Sequence, residues 1–226
     1  MKGVQPQQPR PEVELTRQLL AGDAEAFDSF VDLFRSRIFQ YSFLMCGQRE
    51  DAEEVAQETL LKVFEKIDQL REPDRVKSWV FQIAKNACRM MRRKSIFAPR
   101  EEISLDEPAQ QIRDSRPLPE KEALRHELHD QLRAAIRDLP EIYRAVFLLR
   151  DVEGLSTEET AHILDLSIDV VKTRLLRARR MMRESLGGVS RPATAFPWRD
   201  QPGPLPPVAR IDMLTRFRKA IVAKNH

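Results

Sequence analysis

The chain has 226 residues, enough for one large domain or two small ones. It contains seven glycines, two tyrosines and two tryptophans, and since strands favour β-branched and aromatic runs, this composition favours an α-helical protein. The net charge of +3 is modest, so it indicates an anionic partner only if the positive charge is gathered in one place.

The sequence gives no sign of a disulfide framework, a metal site or a membrane span. Cys46 and Cys88 are far apart and have no CxxC or Cys/His spacing around them. His126 and His129 have a metal-compatible spacing but no third ligand near them, so no metal is expected. The N-terminus lacks the apolar core of a signal peptide, and no segment approaches the roughly 20 apolar residues of a membrane helix. We therefore expect a cytoplasmic protein without cofactors.

Four helices are predicted in the first half of the chain, because apolar residues recur there at helical spacing. The first covers about 13–21, the second follows the capping residue Asp23 and ends at the polar stretch 47–50, the third covers about 51–70, and the fourth about 76–93. The predicted inward residues of the second and third helices are Phe27, Phe30, Val31, Phe34, Ile38, Tyr41, Ala52, Val55, Ala56, Leu60, Val63, Phe64 and Ile67. The fourth helix ends in the basic run Arg89, Arg92, Arg93 and Lys94.

The helical pattern stops between 96 and 119, where proline recurs and acidic residues dominate, so this segment is predicted to be a flexible linker. Four further helices are predicted at about 120–139, 140–152, 157–164 and 168–186. The expected architecture is all-α: a helical domain over 12–95, the linker 96–119, and a second helical domain over 120–187. A proline-rich tail, 188–226, follows, in which 210–225 has the pattern of an amphipathic helix.

The segment LSTEETAHILDLSIDVVKTRLLRARRMMRESL predicts two helices joined by a very short turn. Ser156 and Glu159 form a capping box, Asp165 lies where the turn needs a left-handed residue, and Ser167 can cap the second helix. On that helix Val171, Leu175, Ala178 and Met182 share an inward face, and the opposite face is basic. This is the pattern of a helix-turn-helix. A solvated helix of an ordinary bundle is the alternative, and the capped short turn favours DNA binding.

Several segments in order along the chain resemble the extracytoplasmic-function (ECF) group of the sigma-70 family of RNA polymerase sigma factors. The segment VVKTRLLRARRMMRESL, preceded by LPEIYRAVFLLRDVEG and LSTEETAHIL, is similar to the promoter-reading C-terminal domain of that group. DAEEVAQETLLKVFEKI and SWVFQIAKNACRMMRRK are similar to its N-terminal domain. The chain departs from the family at Asp165, where glycine is common, and in the extension after Gly187.

The resemblance implies two DNA-reading surfaces. The fourth helix and the loop before it would recognise and melt the minus-ten element. Asn86 and the loop would bind a flipped base, and Trp79 would either stack on a base or belong to the core. The cations expected to contact the backbone of the separated strand are Lys85, Arg89, Arg92 and Arg93. The residues expected at the minus-35 element are Lys172, Thr173, Leu176 and Arg177. Arg174 and Arg179 are expected to contact phosphates or to form intramolecular pairs.

The resemblance also implies protein partners. Core RNA polymerase would be contacted through the clamp helices of its β′ subunit and through its β flap. The residues expected on the clamp helices form a polar strip on the third helix: Asp51, Glu54, Gln57, Glu58 and Lys62. An anti-sigma factor is a further expected partner.

Two other classes of protein share parts of these patterns. A one-component regulator with a ligand-sensing N-terminal domain would share the helix-turn-helix, but it has no need of the polar strip and the basic fourth helix. A purely structural interaction protein would not need the clustered arginines. No nucleophile with its base, no phosphate loop and no supported carboxylate pair is present in the sequence, so we do not expect an enzyme.

Overall fold

The computed structural model describes residues 10–23, 25–97 and 120–187, and all regular structure within these ranges is helical. This confirms the predicted all-α fold. The predicted tail 188–226 and residues 98–119 of the predicted linker lie outside the described residues. The α-helices are α1 (Pro11–Leu20), α2 (Glu25–Cys46), α3 (Arg49–Lys66), α4 (Val76–Phe97), α5 (Glu120–Asp138), α6 (Glu141–Phe147), α7 (Thr157–Leu164) and α8 (Ile168–Ser185).

The N-terminal domain, α1–α4, is built around the long helix α2. The predicted inward residues of α2 are all buried, and Phe30, Phe34 and Ile38 are fully enclosed. Phe64 of α3 extends this core, with its ring centroid 4.5 Å from that of Phe27. The apolar stripe therefore fixes how α3 and α4 pack on α2. Two short 3₁₀ turns, Ile67–Gln69 and Pro73–Arg75, connect α3 to α4.

The C-terminal domain, α5–α8, differs from the prediction in one element. A single helix was predicted over 140–152, but α6 ends at Phe147 and continues as a π-helical turn, Leu148–Val152. A π turn holds one more residue than an α turn. Leu148, Leu149 and Val152, which lie in this turn, are all buried. The backbone N–H of Glu153 closes the turn on the Leu148 carbonyl at 2.8 Å.

The two domains pack against each other. One hydrophobic cluster extends from Ile38 and Leu44 of α2 into Leu132 and Ile136 of α5, and α4 packs on α7. This interdomain packing was not predicted from the sequence. None of the described helices combines the length and apolar character that crossing a membrane requires.

Candidate nucleic-acid interface

Helix α7 begins with the predicted capping box. The Ser156 Oγ accepts a hydrogen bond from the Glu159 backbone N–H at 3.0 Å, and the Ser156 N–H donates to Glu159 Oε2 at 2.7 Å. Two backbone donors that the first helical turn leaves unpaired are satisfied in this way. The start of α7 is therefore fixed locally, which confirms the prediction.

The turn between α7 and α8 is formed by Asp165 and Ser167. Asp165 is left-handed, with φ 54° and ψ 50°, and the Ser167 Oγ accepts from the Val170 N–H at 3.3 Å. Aspartate tolerates this conformation better than most residues, although a residue with a Cβ costs roughly 1–2 kcal/mol there relative to glycine. Both predicted turn residues are confirmed, and the departure from glycine leaves the turn geometry intact.

Helix α8 is divided into a buried and an exposed face. Val171, Leu175, Ala178 and Met182 are buried, as predicted. Lys172, Thr173, Leu176 and Arg177 are exposed, and Leu176 is 66% exposed although it is apolar. The Arg177 Nη1 donates to the Tyr143 hydroxyl at 3.3 Å, which holds the guanidinium near the surface. Basic, polar and apolar groups together on one exposed helical face suit contact with base edges in a major groove.

Arg179 has a different role from its neighbours on α8. Its Nε and Nη2 donate to the two carboxylate oxygens of Asp151 at 2.8 and 2.5 Å. This two-point contact raises the pKa of the Arg179 guanidinium and fastens α8 to the π-helical turn. Of the two roles expected for Arg179, the structure shows the intramolecular pair.

The basic residues of α4 lie in two environments. Asn86, Arg89 and Arg93 are exposed. Lys85 and Arg92 face the C-terminal domain instead: the Lys85 Nζ lies 3.3 Å from Asp165 Oδ2, and Arg92 pairs with Glu141. The structure therefore brings the predicted cations onto one helix, but two of them are engaged within the chain.

Trp79 is half-buried and lies between the core and an open cleft of about 610 Å³. One wall of the cleft is formed by the loop before α4, including Leu70 and Arg71, and the other by Glu158 and His162 of α7. Both readings of Trp79, core residue and stacking platform, are compatible with this position.

The polar strip of α3 faces away from the core. Glu54 and Gln57 are exposed, and Glu58 pairs with Lys62 at 2.6 Å one turn along. Asp51 is partly covered, and desolvation, followed by the charge of Glu54, raises the pKa of its carboxyl group. The strip presents a row of mostly acidic groups that suits a partner surface with basic side chains.

Sequence reasoning missed the acidic partners of α4. Glu141, Glu153 and Asp165 contact Arg92, Lys77 and Lys85, which are 49 to 80 positions away in the chain. No local pattern indicates such contacts, because they depend on how one domain packs on the other. The sequence singled out Asp165 as a turn residue but not as a partner of Lys85.

Comparison with known proteins assigns both halves of the chain to one family. Residues 30–95 match the family model described as Sigma-70 region 2, and residues 129–182 match that described as Sigma-70, region 4. The ECF RNA polymerase sigma factor SigW of Bacillus subtilis is 30% identical over 175 residues, 75% of this chain and 94% of SigW. The ECF RNA polymerase sigma factor SigE of Mycolicibacterium smegmatis is 32% identical over 169 residues, 73% of this chain and 64% of SigE.

Solved structures agree in fold. CnrH, solved in complex with the cytosolic domain of CnrY, matches with a TM-score of 0.54 at 24% identity, covering 80% of this chain and all of CnrH. The two family models and the matched relatives together place the chain in the class of sigma-70 transcription factors. The chain belongs to the ECF group of RNA polymerase sigma factors.

Proposed function

We propose that the two domains divide the work of initiation. Residues 12–95 would form the region 2 domain, 96–119 the linker, and 120–187 the region 4 domain, with 188–226 as a tail. The packing of α3 on α2 and of α4 on both supports the first unit, and the capped helix-turn-helix supports the second. The protein would act in the cytoplasm, with core polymerase and the chromosome, and would catalyse no reaction of its own.

The polar strip of α3 is proposed to dock on the clamp helices of the β′ subunit. Its side chains lie on the outer face of α3, and the opposite residues, including Val55 and Val63, are fully buried. A substitution on the strip therefore changes the docking surface without removing packing from the core. The C-terminal domain would make a second contact with the β flap.

Helix α4 and the loop before it are proposed to take the minus-ten element. Arg89 and Arg93 are exposed one turn apart and would neutralise phosphates of the separated strand. Asn86 is exposed one turn before them and can hydrogen-bond a base edge. A flipped base would stack beside Trp79 in the cleft, where the indole is accessible.

Helix α8 is proposed to read the minus-35 element in the major groove. The observation that carries the proposal is the split of this helix, with Val171 and Ala178 fully buried on one face while Lys172, Leu176 and Arg177 are exposed on the other. Arg177 would donate to a base edge, Leu176 would pack on a thymine methyl, and Lys172 would contribute to the salt-dependent affinity for phosphates.

In vitro transcription tests the proposed function directly. Core RNA polymerase, the full chain and a fragmented library of the source genome are combined, and transcript starts are sequenced. Starts that appear only with the protein, with shared elements upstream, are expected. No new starts, with the protein alone binding duplex DNA, would favour a one-component regulator instead.

An anti-sigma factor is proposed as a further partner. This is supported by a structural neighbour, the sigma factor RpoE of Bartonella quintana, which was solved in complex with the anti-sigma factor NepR. Affinity purification of the tagged chain from its source cell, followed by transcription with the co-purified protein added back, tests this. The proposed partner should suppress the starts that the chain directs.

A further inference from the structure

The two cysteines of the chain meet in the structure, although they stand far apart in the sequence. Cys46 is the last residue of α2 and is partly exposed, and Cys88 is buried within α4. We propose that these two residues, called the thiol pair, are a site of reversible oxidation by hydrogen peroxide, at which Cys46 reacts first and Cys88 then closes a disulfide that links α2 to α4. The inference is independent of the DNA contacts proposed for α4.

The thiol pair is brought together by the packing of α4 on α2. The Cys88 Sγ donates to the Oγ of Ser42, a fully buried residue of α2, at 3.7 Å. Ser42 and Cys46 are one turn apart on the same face of α2, since side chains four residues apart on a helix are neighbours. Cys46 packs against the core cluster to which Cys88 belongs, and the two thiols share a hydrogen bond. Both sulfur atoms therefore lie at the contact between α2 and α4.

The end of α2 allows the small adjustment that a disulfide requires. A disulfide holds its two Cβ atoms about 3.5–4.5 Å apart, closer than two thiols in hydrogen-bond contact need to be. Helix α2 ends at Cys46, and the next residue, Gly47, is left-handed with φ 87°. A residue at a helix end is held by fewer backbone hydrogen bonds than one in the middle. Cys46 can therefore move the short way toward the buried Cys88.

The surroundings of the thiol pair give its two sulfur atoms different roles. The hydrogen bond with Cys88 lowers the pKa of the Cys46 thiol, and the positive charge of Arg92 acts in the same direction. Burial and the charges of Asp51 and Glu141 oppose this effect without reversing it. The same hydrogen bond, followed by burial, raises the pKa of Cys88. Because the thiolate is the form that attacks a peroxide, the more exposed Cys46 is the attacking residue.

The oxidation has two steps. In the first, the Cys46 thiolate attacks one oxygen of hydrogen peroxide: an S–O bond forms, the O–O bond breaks, and the departing hydroxide takes a proton from solvent. Cys46 is then a sulfenic acid, and the peroxide has been reduced. In the second, the Cys88 sulfur attacks the Cys46 sulfur: the S–S bond forms, the S–O bond breaks, and the departing hydroxide takes the Cys88 proton. Two thiols and one peroxide thus give one disulfide and two water molecules.

The disulfide would stabilise the N-terminal domain. It closes a loop that contains all of α3 and both 3₁₀ turns before α4. A cross-link over such a loop removes conformational freedom from the unfolded chain and so favours the folded one. In a reducing compartment the bond is transient, because dithiol reductants return both cysteines to thiols. The chain would therefore resist unfolding while peroxide is present and regain its ordinary stability afterwards.

Mass spectrometry of the full chain after exposure to hydrogen peroxide tests the site. The wild type should lose two hydrogen atoms, give one peptide pair joined through Cys46 and Cys88, and recover both thiols in dithiothreitol. Dimedone, which traps sulfenic acids, should label Cys46 about tenfold more in Cys88→Ala than in wild type, because a neighbouring thiol outcompetes an external trap. In Cys46→Ser, the buried Cys88 should stay a thiol. Oxygen added to both cysteines of the wild type without a cross-link would overturn the proposal.

Urea unfolding of the wild type, oxidised and reduced, tests the consequence without any substitution. The oxidised chain should unfold at a urea midpoint about 1 M or more above that of the reduced chain, followed by tryptophan fluorescence. Dithiothreitol should remove the difference, and Cys46→Ser treated with peroxide should show none. An oxidised wild type that unfolds at the same or a lower urea concentration than the reduced chain would overturn the stabilising role of the disulfide.

Discussion

Leu176 offers the sharpest test of how α8 reads DNA. Leu176→Ala removes three carbon atoms, which contribute about 0.8 kcal/mol each when fully buried. Because 66% of the residue is exposed in the free protein, about two thirds of that contribution is available to contact with DNA. The substitution should weaken minus-35 binding by about 1.5 kcal/mol, roughly a tenfold rise in Kd. Folding stability should fall by less than about 1 kcal/mol, since only the buried third of the side chain loses packing.

The assay measures how well unlabelled minus-35 duplexes displace a fluorescently labelled minus-35 duplex from holoenzyme. The minus-35 sequences are those mapped in the transcription experiment. Duplexes in which thymine is replaced by uracil, which lacks the methyl group, should lose affinity for wild type but not for Leu176→Ala. The matched control is Leu128→Ala on α5, which removes the same atoms from a leucine that is 40% exposed. Equal effects of the two substitutions on promoter binding would refute the assignment of Leu176.

The remaining predictions concern α7, α8 and the cysteines. Ser156→Ala should lower the free energy of unfolding by about 1 kcal/mol in urea titrations, because the cap on the Glu159 N–H is lost. Ser156→Asp should restore the stability, and an unchanged urea midpoint for Ser156→Ala would contradict this prediction. Arg177→Ala should weaken promoter binding by about 1–3 kcal/mol and relax preference at one base; identical ranking of promoter variants would remove Arg177 from the interface. A hydrogen bond with Cys88 lowers the pKa of the Cys46 thiol, whereas the same contact and burial raise that of Cys88. The thiolate of Cys46 therefore forms at lower pH, and mass spectrometry should find iodoacetamide on Cys46 first at pH 8; equal rates would count against it.

The fold was predictable wherever one short segment carries both the pattern and its cause. The stripe from Phe27 to Tyr41 fixed the buried face of α2, and Ser156 and Ser167 fixed the starts of α7 and α8, because capping depends on residues three positions apart. The π-helical turn after Phe147 was not predictable in this way. The apolar residues Leu148, Leu149 and Val152 have a spacing that a regular helix would also bury, so the local sequence gives no signal for a π turn.

The candidate site was predictable as a set of surfaces but not as a set of partners. The exposed face of α8 follows from its own periodicity. The pairing of Lys85 with Asp165 does not, since it depends on two helices that lie 80 residues apart in the chain. The basic end of α4 predicted an affinity for anions. It did not indicate that carboxylates of the same chain pair with Lys85 and Arg92.

The left-handed turn at Asp165 has a consequence for how such proteins diverge. Aspartate codons become glycine codons through a single A-to-G change, and glycine is the residue that this backbone conformation favours. A lineage can therefore lose or regain the carboxylate in one mutation without refolding the DNA-reading domain.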